Sequence, residues 1–148
     1  MMLVQHLLEP ARKRLAILNR RAGVCDAAAI LMNSLTPLAV VCDEEGIALG
    51  VISRTDVVKV LVGATPSVLN TSAETMMTRE VHSCQPQQPL QDVWKLMNER
   101  SLRCMPVLDA DGRPQGVLHA RDLAGALIDD VTYEELLLRD YVLGIGYQ

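Results

Sequence analysis

The sequence has no phenylalanine, and aromatic residues make up only 3% of its 148 positions. Its hydrophobic share is nevertheless 49%, so any core must be built from aliphatic side chains. A chain of this length and composition can bury such a core without disulfides or metal, and it is too apolar to be a disordered segment. We therefore expect one compact domain or two very small ones.

Other absences exclude classes of function. No apolar run approaches the ~18 residues that a membrane helix needs, and the first residues lack the basic and apolar regions of a signal peptide. The four cysteines form no Cys-x-x-Cys pair, which argues against zinc ribbons and dithiol redox motifs. We therefore expect a cytoplasmic protein whose cysteines are reduced thiols. The net charge of −4 argues against a general nucleic-acid binder.

The sequence also offers little for catalysis. The three histidines show no metal-binding spacing such as His-Glu-x-x-His, and no Gly-rich phosphate loop ending in Lys-Ser/Thr is present. Cys84 and His82 are close in the sequence, but residues two apart on a strand share a face only loosely. We predict a non-enzyme that needs no cofactor and no metal.

One unit occurs twice in the chain. A shift of 66 residues places Asp26 on Asp92, and the alignment of residues 26–58 then runs without a gap. It holds seven identities in 33 positions, where ordinary amino-acid usage gives roughly two. The matched residues include those expected at turns and element ends: Asp43 and Gly46 with Asp109 and Gly112, and Gly50 and Asp56 with Gly116 and Asp122.

Each unit predicts the order β-α-β-β-α. Apolar runs at residues 38–42 and 104–108 are typical of strands buried on both faces. Helical spacing follows Pro89, where Val93, Leu96 and Met97 recur at the period of a helix. The other predicted elements are first strands at 15–18 and 81–84, a helix at 27–33, third strands at 50–52 and 116–118, and helices opening at Asp56 and Asp122.

One half cannot cover its own sheet, so we predict an α/β (α+β) fold whose halves pack face to face with pseudo-two-fold symmetry. Residues 1–62 form the first repeat with a lead-in, 63–80 a connector and 81–128 the second repeat. A short helix is predicted within the connector at 72–77. Residues 129–148 are assigned to a helical tail, with a capping box at Thr132 and Glu135 opening a final helix.

Several segments of the sequence resemble the motifs of a known family. The first motif segment, residues 50–56, has the sequence GVISRTD, which matches the Gly-h-x-(Ser/Thr)-x-x-Asp pattern of CBS domains, where h is apolar. Residues 77–81 and 103–109 resemble two further landmarks of that family. Over about residues 7–128 the chain resembles a CBS-domain pair, or Bateman module. The resemblance implies a regulatory homodimer that binds an adenosine-containing ligand (AMP, ADP, ATP or S-adenosylmethionine) between its repeats.

Nucleotide chemistry fits the first motif segment. Val51 and Ile52 can flank a base, the Ser53 hydroxyl can meet a phosphate or ribose oxygen, and the Asp56 carboxylate can accept from a ribose diol. The resemblance implies that Asp56 works with strands of the other repeat, and that Arg54 or Arg103 neutralises phosphate charge. The implied contacts on the other repeat are Ser83, Cys84, Arg103, Met105 and Pro106.

Ser53 and Asp56 also fit a capping box, which needs no ligand. The alternative is therefore a ligand-free adaptor, in which the repeats are a dimerisation scaffold and these residues only cap a helix. A carboxylate of Asp56 turned against its own backbone, in a crevice filled by side chains, would contradict ligand binding.

The second motif segment, residues 116–122, departs from the pattern, since GVLHARD has His119 in place of a hydroxyl residue. We expect His119 to be a poor helix cap and the site at Asp122 to be weaker, altered or empty. Its walls would be Ile17, Leu38, Ala39 and Val40.

The two ends of the chain carry opposite charge. Residues 1–25 have a net charge of +4 and residues 129–148 a net charge of −4. These charges could guide a subunit contact, or they could be two independent solvated surfaces. Nucleic-acid binding through residues 12–21 is conceivable, but no aromatic side chains are interleaved for base stacking.

Overall fold

The computed structural model describes residues 1–63 and 66–143, and at most positions from 131 on it describes the backbone alone. A 3₁₀ turn at Val4–Leu7 opens the chain and a second lies at Val68–Asn70. The helices are α1 (Leu8–Lys13), α2 (Val24–Leu31), α3 (Arg54–Val62), α4 (Ala73–Met76), α5 (Leu90–Glu99) and α6 (Ala120–Leu143). The strands are β1 (Ile17–Asn19), β2 (Leu38–Cys42), β3 (Ala48–Ser53), β4 (Cys104–Leu108) and β5 (Pro114–His119).

The first repeat has a three-stranded sheet in the order β1-β2-β3. β1 runs parallel to β2, with Ile17 beside Val40, and β3 runs antiparallel to β2 with Val51 beside Val40. One face of this sheet carries a core of aliphatic side chains closed by α2, α3 and α4. The apolar run at residues 38–42 forms β2 as predicted, because a strand covered on both faces has no polar alternation to blur its bounds.

The second repeat keeps only two regular strands, β4 and β5. The strand predicted at residues 81–84 is reduced to a single bridge between Cys84 and Val107. Pro106 explains the loss. In the first repeat the N–H of Val40 donates to the carbonyl of Ala16 over 2.8 Å, whereas Pro106, the residue matched to Val40, has no N–H to donate.

Each repeat is preceded by a lead-in segment with a short helix, α1 before the first repeat and α4 before the second. Each of these helices packs on the other repeat. Val4 and Ala11, from the start of the chain, are fully buried in the core of the second repeat. In return, α4 packs on the first repeat and Thr78 exchanges backbone hydrogen bonds with Val51. The lead-in that we predicted with the first repeat therefore makes its core contacts with the second.

This exchange accounts for the motif glycines. A Cβ added at Gly50 would lie 2.6 Å from the carbonyl oxygen of Thr78, and one at Gly116 would lie 2.8 Å from the Cβ of Ala11. Both are approaches that an alanine cannot make without displacing the neighbouring segment. Glycine is thus required at both places for close packing, not for an unusual backbone angle.

The two sheets meet face to face, which confirms the predicted packing of the halves. Val40, Cys42 and Val117 are buried between them. The N–H of Ala48 also donates to the carbonyl of Gly112 across the interface over 2.9 Å. The residue matched to Ala48 is Pro114, so the symmetric bond cannot form, and the guanidinium of Arg113 donates to the carbonyl of Glu45 instead.

The C-terminal helix differs from the prediction. α6 runs without a break from Ala120 to Leu143, so no new helix opens at Thr132. The predicted capping box there was wrong in this respect, because a continuous helix already satisfies the backbone N–H groups that a cap would bind. The side chains of Leu136, Leu137, Tyr141 and Val142, which we expected to form an apolar face, lie outside the described residues.

Candidate functional site

The first motif segment turns from β3 into α3, and Ser53 is the N-cap of that helix. The Oδ2 of Asp56 accepts from the backbone N–H of Ser53 at 2.9 Å and from the Ser53 hydroxyl at 3.1 Å. Its other oxygen, Oδ1, accepts from the hydroxyl of Thr78 at 3.3 Å. All three donors are neutral, and the carboxylate keeps lone pairs for further donors.

This geometry meets one half of the condition that we set against ligand binding. The Asp56 carboxylate is indeed turned toward the backbone of its own cap. The crevice between the repeats, however, is not filled by side chains, because two cavities remain open there.

The strand cavity lies between the facing strands and has a volume of about 120 Å³. It brings together three of the residues predicted for the first site, Val51, Ser83 and Pro106. These come from both repeats, as the resemblance implied. Val40, a predicted wall of the second site, lines the same cavity. The remaining lining residues are Ala48, Leu49, Gly50, Arg79, Val81 and Leu108.

Several predicted wall residues face elsewhere. Ile52, Cys84, Met105 and Ala39 are at most 2% exposed and lie in the helix-covered cores of their repeats. The physical reason is strand alternation, since successive side chains point to opposite faces. Their sequence neighbours are therefore the ones that line the cavity.

The arginine cavity is larger, about 570 Å³, and lies between the N-termini of α3 and α6. Its lining contains four pairs of residues related by the 66-residue shift, which places it on the pseudo-two-fold axis. It includes the predicted site residues Ser53, Arg54, Arg103, Leu38 and His119. Arg14, Ser34, Leu35, Pro37, Thr55, Cys104 and Arg121 complete it.

Arg54 has a structural task at this cavity. Its guanidinium donates to the backbone carbonyls of Leu31, Asn33 and Thr36 at 2.9 to 3.2 Å. These carbonyls lie at and just after the C-terminus of α2, where the helix leaves acceptors without partners. We predicted two arginines, Arg54 and Arg103, for phosphate. Arg103 is exposed at the cavity, and within the part of the chain that the structure describes its guanidinium does not hold backbone carbonyls as that of Arg54 does.

His119 corrects an expectation. Its Nδ1 accepts from the backbone N–H of Arg121 at 3.0 Å, so the imidazole does cap α6. Partial burial lowers the pKa of His119, and the nearby Arg14 and Arg121 lower it further. The neutral ring is the form that can accept this bond, because a protonated Nδ1 has no free lone pair.

Asp122 differs from Asp56 in its partner. The Nη1 of Arg14 lies 2.5 Å from its Oδ2. The two side chains are 21% and 26% exposed, so this ion pair is partly shielded from water. Ile17, a predicted wall of the second site, is 52% exposed on β1.

The basic N-terminal stretch is largely neutralised within the chain. Arg20 forms a paired contact with Glu74 at 2.7 and 3.0 Å, and Glu44 lies 3.7 Å from both Arg20 and Arg21. The Glu74 contact raises the pKa of Arg20 and lowers that of Glu74. With Arg14 held by Asp122, residues 12–21 do not present a continuous basic face.

Three of the site residues that sequence reasoning missed come from one segment. Arg79 and Val81 line the strand cavity, and Thr78 holds the motif carboxylate. All three belong to residues 77–81, which we had noted only as a family landmark. The role of Arg14 had no local signal, because its partner is near the other end of the chain.

The buried cysteines are packing residues of the cores. All four are free thiols, with Cys42 and Cys84 buried, Cys104 half-buried and Cys25 exposed. Burial raises the pKa of Cys84 to about 12, which disfavours the thiolate form that a nucleophile needs. Among the residues that the structure describes, no cluster of His, Cys, Asp and Glu could hold a metal ion. Within the same residues, no helix is long and apolar enough to span a membrane.

Comparison with known sequences identifies the repeats. The sequence profile of the CBS domain matches twice, at residues 11–63 and 73–129. A 17.7 kDa protein from the bps2 3′ region of Acidianus ambivalens is 28% identical over 107 residues, which are 72% of this chain and 63% of that protein. The chain thus spans less than two thirds of the length of this relative.

Comparison with solved structures agrees. The CBS-domain-containing protein ATU1752 of Agrobacterium tumefaciens is 26% identical with a TM-score of 0.68, covering 84% of this chain and 97% of its own. CBSX2 in complex with AMP has a TM-score of 0.74 at 22% identity, with coverage of 87% and 98%. The CBS-domain pair of MJ0100, in complex with 5-methylthioadenosine and S-adenosyl-L-methionine, has a TM-score of 0.71 at 22% identity, with coverage of 88% and 98%.

Proposed function

Because the chain belongs to the CBS domain family, we propose that it is a regulatory module that binds an adenosine-containing ligand between its two repeats. The observation that carries this proposal is the strand cavity, which is lined from both repeats by Val51, Ser83 and Pro106. Structural relatives hold ligands of this class, namely AMP in CBSX2 and S-adenosyl-L-methionine in MJ0100.

In this proposal each part of the ligand has its own surface. The aliphatic strand cavity takes the base, and Asp56 takes the ribose diol. The phosphates of a nucleotide lie at the N-terminus of α3 and beside Arg103 in the arginine cavity, since both favour negative charge. No residue has a catalytic step in this proposal.

The regulatory signal in this proposal arises because the ligand replaces a hydrogen-bond partner that Asp56 already has. A diol that donates to Asp56 competes with the hydroxyl of Thr78, and Thr78 belongs to the segment that leads into the second repeat. Occupancy therefore favours one position of this segment over another. A ligand can shift such an equilibrium only by its difference in affinity for the two states.

Calorimetric titration with AMP, ATP and S-adenosylmethionine tests the proposal. We expect at least one of them to bind with a Kd below about 1 mM, the weakest affinity that we count as sensing. Asp56→Ala should abolish that binding and, through loss of the cap, lower the free energy of unfolding by ~1 kcal/mol.

Asp26→Ala is the matched control. Asp26 makes the same type of cap on α2, with its Oδ2 accepting from the N–H of Gly23 at 3.1 Å. Neither aspartate lines a cavity itself, but Asp56 directly follows residues 53–55, which line the arginine cavity, whereas no residue of α2 lines either cavity. Asp26→Ala should cost similar stability and leave binding unchanged. If no ligand binds and both variants lose only stability, the alternative of a ligand-free adaptor holds; the existing capping contacts of Asp56 favour that alternative.

Self-association as a homodimer is part of the proposal. Val58, Leu61 and Val62 on α3 are between 51% and 76% exposed, and an exposed apolar patch of this kind is typical of a protein interface. Sedimentation at several concentrations tests for a second copy. A regulated protein partner and a cytoplasmic location remain predictions from the family and from the free thiols.

A further inference from the structure

We propose that Arg14 closes the second ligand position, so that the module takes one adenosine ligand per chain, on the Asp56 side. The inference rests on the proposed function, because it concerns which of the two motif carboxylates can accept a ribose diol. It adds the number of ligands and names a residue outside both motif segments as the one that sets it.

The first observation is the ion pair itself. The guanidinium of Arg14 lies 2.5 Å from the Oδ2 of Asp122, with both side chains about three-quarters buried. A diol that bound Asp122 would have to replace this charged contact by two neutral hydroxyl donors. Water screens a partly buried ion pair only weakly, and separating it would leave both charges without their partner, so the exchange is unfavourable.

The second observation is that Arg14 is held in place by the fold. It follows α1 directly, and its N–H donates to the carbonyl of Ala11 at 3.2 Å. Ala11 is fully buried against Gly116 of the second motif segment. The guanidinium is therefore delivered to Asp122 by a helix that cannot move away without opening the core of the second repeat.

The third observation is the contrast with Asp56. Its donors are the Ser53 backbone, the Ser53 hydroxyl and the Thr78 hydroxyl, of which the two hydroxyls can be exchanged for ribose hydroxyls at little cost. The residue related to Arg14 by the 66-residue shift is Glu80, which is exposed. A glutamate carries no cation, so it cannot form with an aspartate the ion pair that Arg14 forms with Asp122.

Calorimetry with AMP separates the two carboxylates. We expect the wild type to bind one AMP per chain. Asp56→Asn should remove this binding, whereas Asp122→Asn should leave the stoichiometry at one and weaken the Kd by no more than about threefold, the spread normal for a substitution outside a binding site.

Arg14→Ala should reveal the second position. With the cation gone, we expect a second AMP to bind, on the order of 10- to 100-fold more tightly than any second AMP in the wild type, a range between the values typical of exposed and of fully buried ion pairs. 2′-Deoxy-AMP should not occupy it, because it lacks one hydroxyl of the diol. Arg12→Ala, at an exposed residue of the same helix, is the control and should still bind one AMP.

Three results would overturn the inference alone: two AMP molecules bound per wild-type chain, a loss of AMP binding in Asp122→Asn as large as in Asp56→Asn, or a single AMP on a folded Arg14→Ala variant. Thermal melting shows whether Arg14→Ala is folded, and if it is not, the Asp122→Asn comparison decides. A wild type that binds none of AMP, ATP and S-adenosylmethionine would overturn the proposed function and this inference together.

Discussion

The two motif segments have the same backbone task and different electrostatics. Each turns a strand into a helix, and each has a glycine against which the lead-in of the other repeat packs. Their carboxylates differ because Asp56 accepts from neutral donors while Asp122 is paired with Arg14. The partners that make this difference, Thr78 and Arg14, lie outside the motif. A matching motif therefore identifies the fold, and residues from the lead-in segments decide whether the site is available.

The largest expected effect on stability tests the close packing at the glycine that both motif segments share. Gly50→Ala and Gly116→Ala each place a Cβ within 2.8 Å of the packed lead-in segment, so we expect each to lower the free energy of unfolding by about 2–3 kcal/mol. Gly125→Ala on α6 meets nothing within 4 Å and should gain up to ~1 kcal/mol from helix propensity. Urea unfolding measures all three. A loss below about 1 kcal/mol at only one motif glycine would show that the two lead-ins are not packed alike.

A double-mutant cycle measures where the segments differ. Arg14→Ala with Asp122→Ala should give a coupling energy of about 1–2 kcal/mol, between the values typical of exposed and of fully buried ion pairs. Thr78→Val with Asp56→Ala should give ~0.5–1 kcal/mol, the worth of a neutral hydrogen bond. Added salt should weaken the first coupling more than the second. Equal coupling energies with equal salt dependence would contradict the contrast that we draw.

The smallest expected effect on stability concerns the two helix caps, Ser53 on α3 and His119 on α6. Because the pKa of His119 is lowered in the folded state, the unfolded chain binds more protons below about pH 6.5, and stability should fall as the pH drops through this window. The ring is only partly buried, so we expect a loss of about 0.5 kcal/mol or less. His119→Ser should remove this part of the pH dependence, since a Ser cap does not titrate.

Unfolding curves at pH 7.5 and 5.5 make the comparison, with His82→Ser as the control at an exposed histidine. An unchanged pH dependence in His119→Ser, or the same change in His82→Ser, would show that the Nδ1 cap does not contribute.

Local patterns predicted much of the fold. The bounds of β2 and β4 agree with the predicted residues, because continuous apolar runs have one stable arrangement. The same reasoning overestimated the strand at residues 81–84, since its pairing needs an N–H that Pro106 lacks. That error was open to correction from the sequence, as was the assignment of Ile52 and Met105 to the cavity, since alternation along a strand places them opposite Val51 and Pro106.

The sequence by itself determined the duplication, the order of elements and the motif that places a carboxylate at the start of a helix. These depend on spacing and on interactions between residues a few positions apart. Only the tertiary structure decided that the lead-in helices cross between repeats and that Asp122 is bound by Arg14 while Asp56 is not. Such contacts join distant parts of the chain, and no local preference specifies them before the cores have formed.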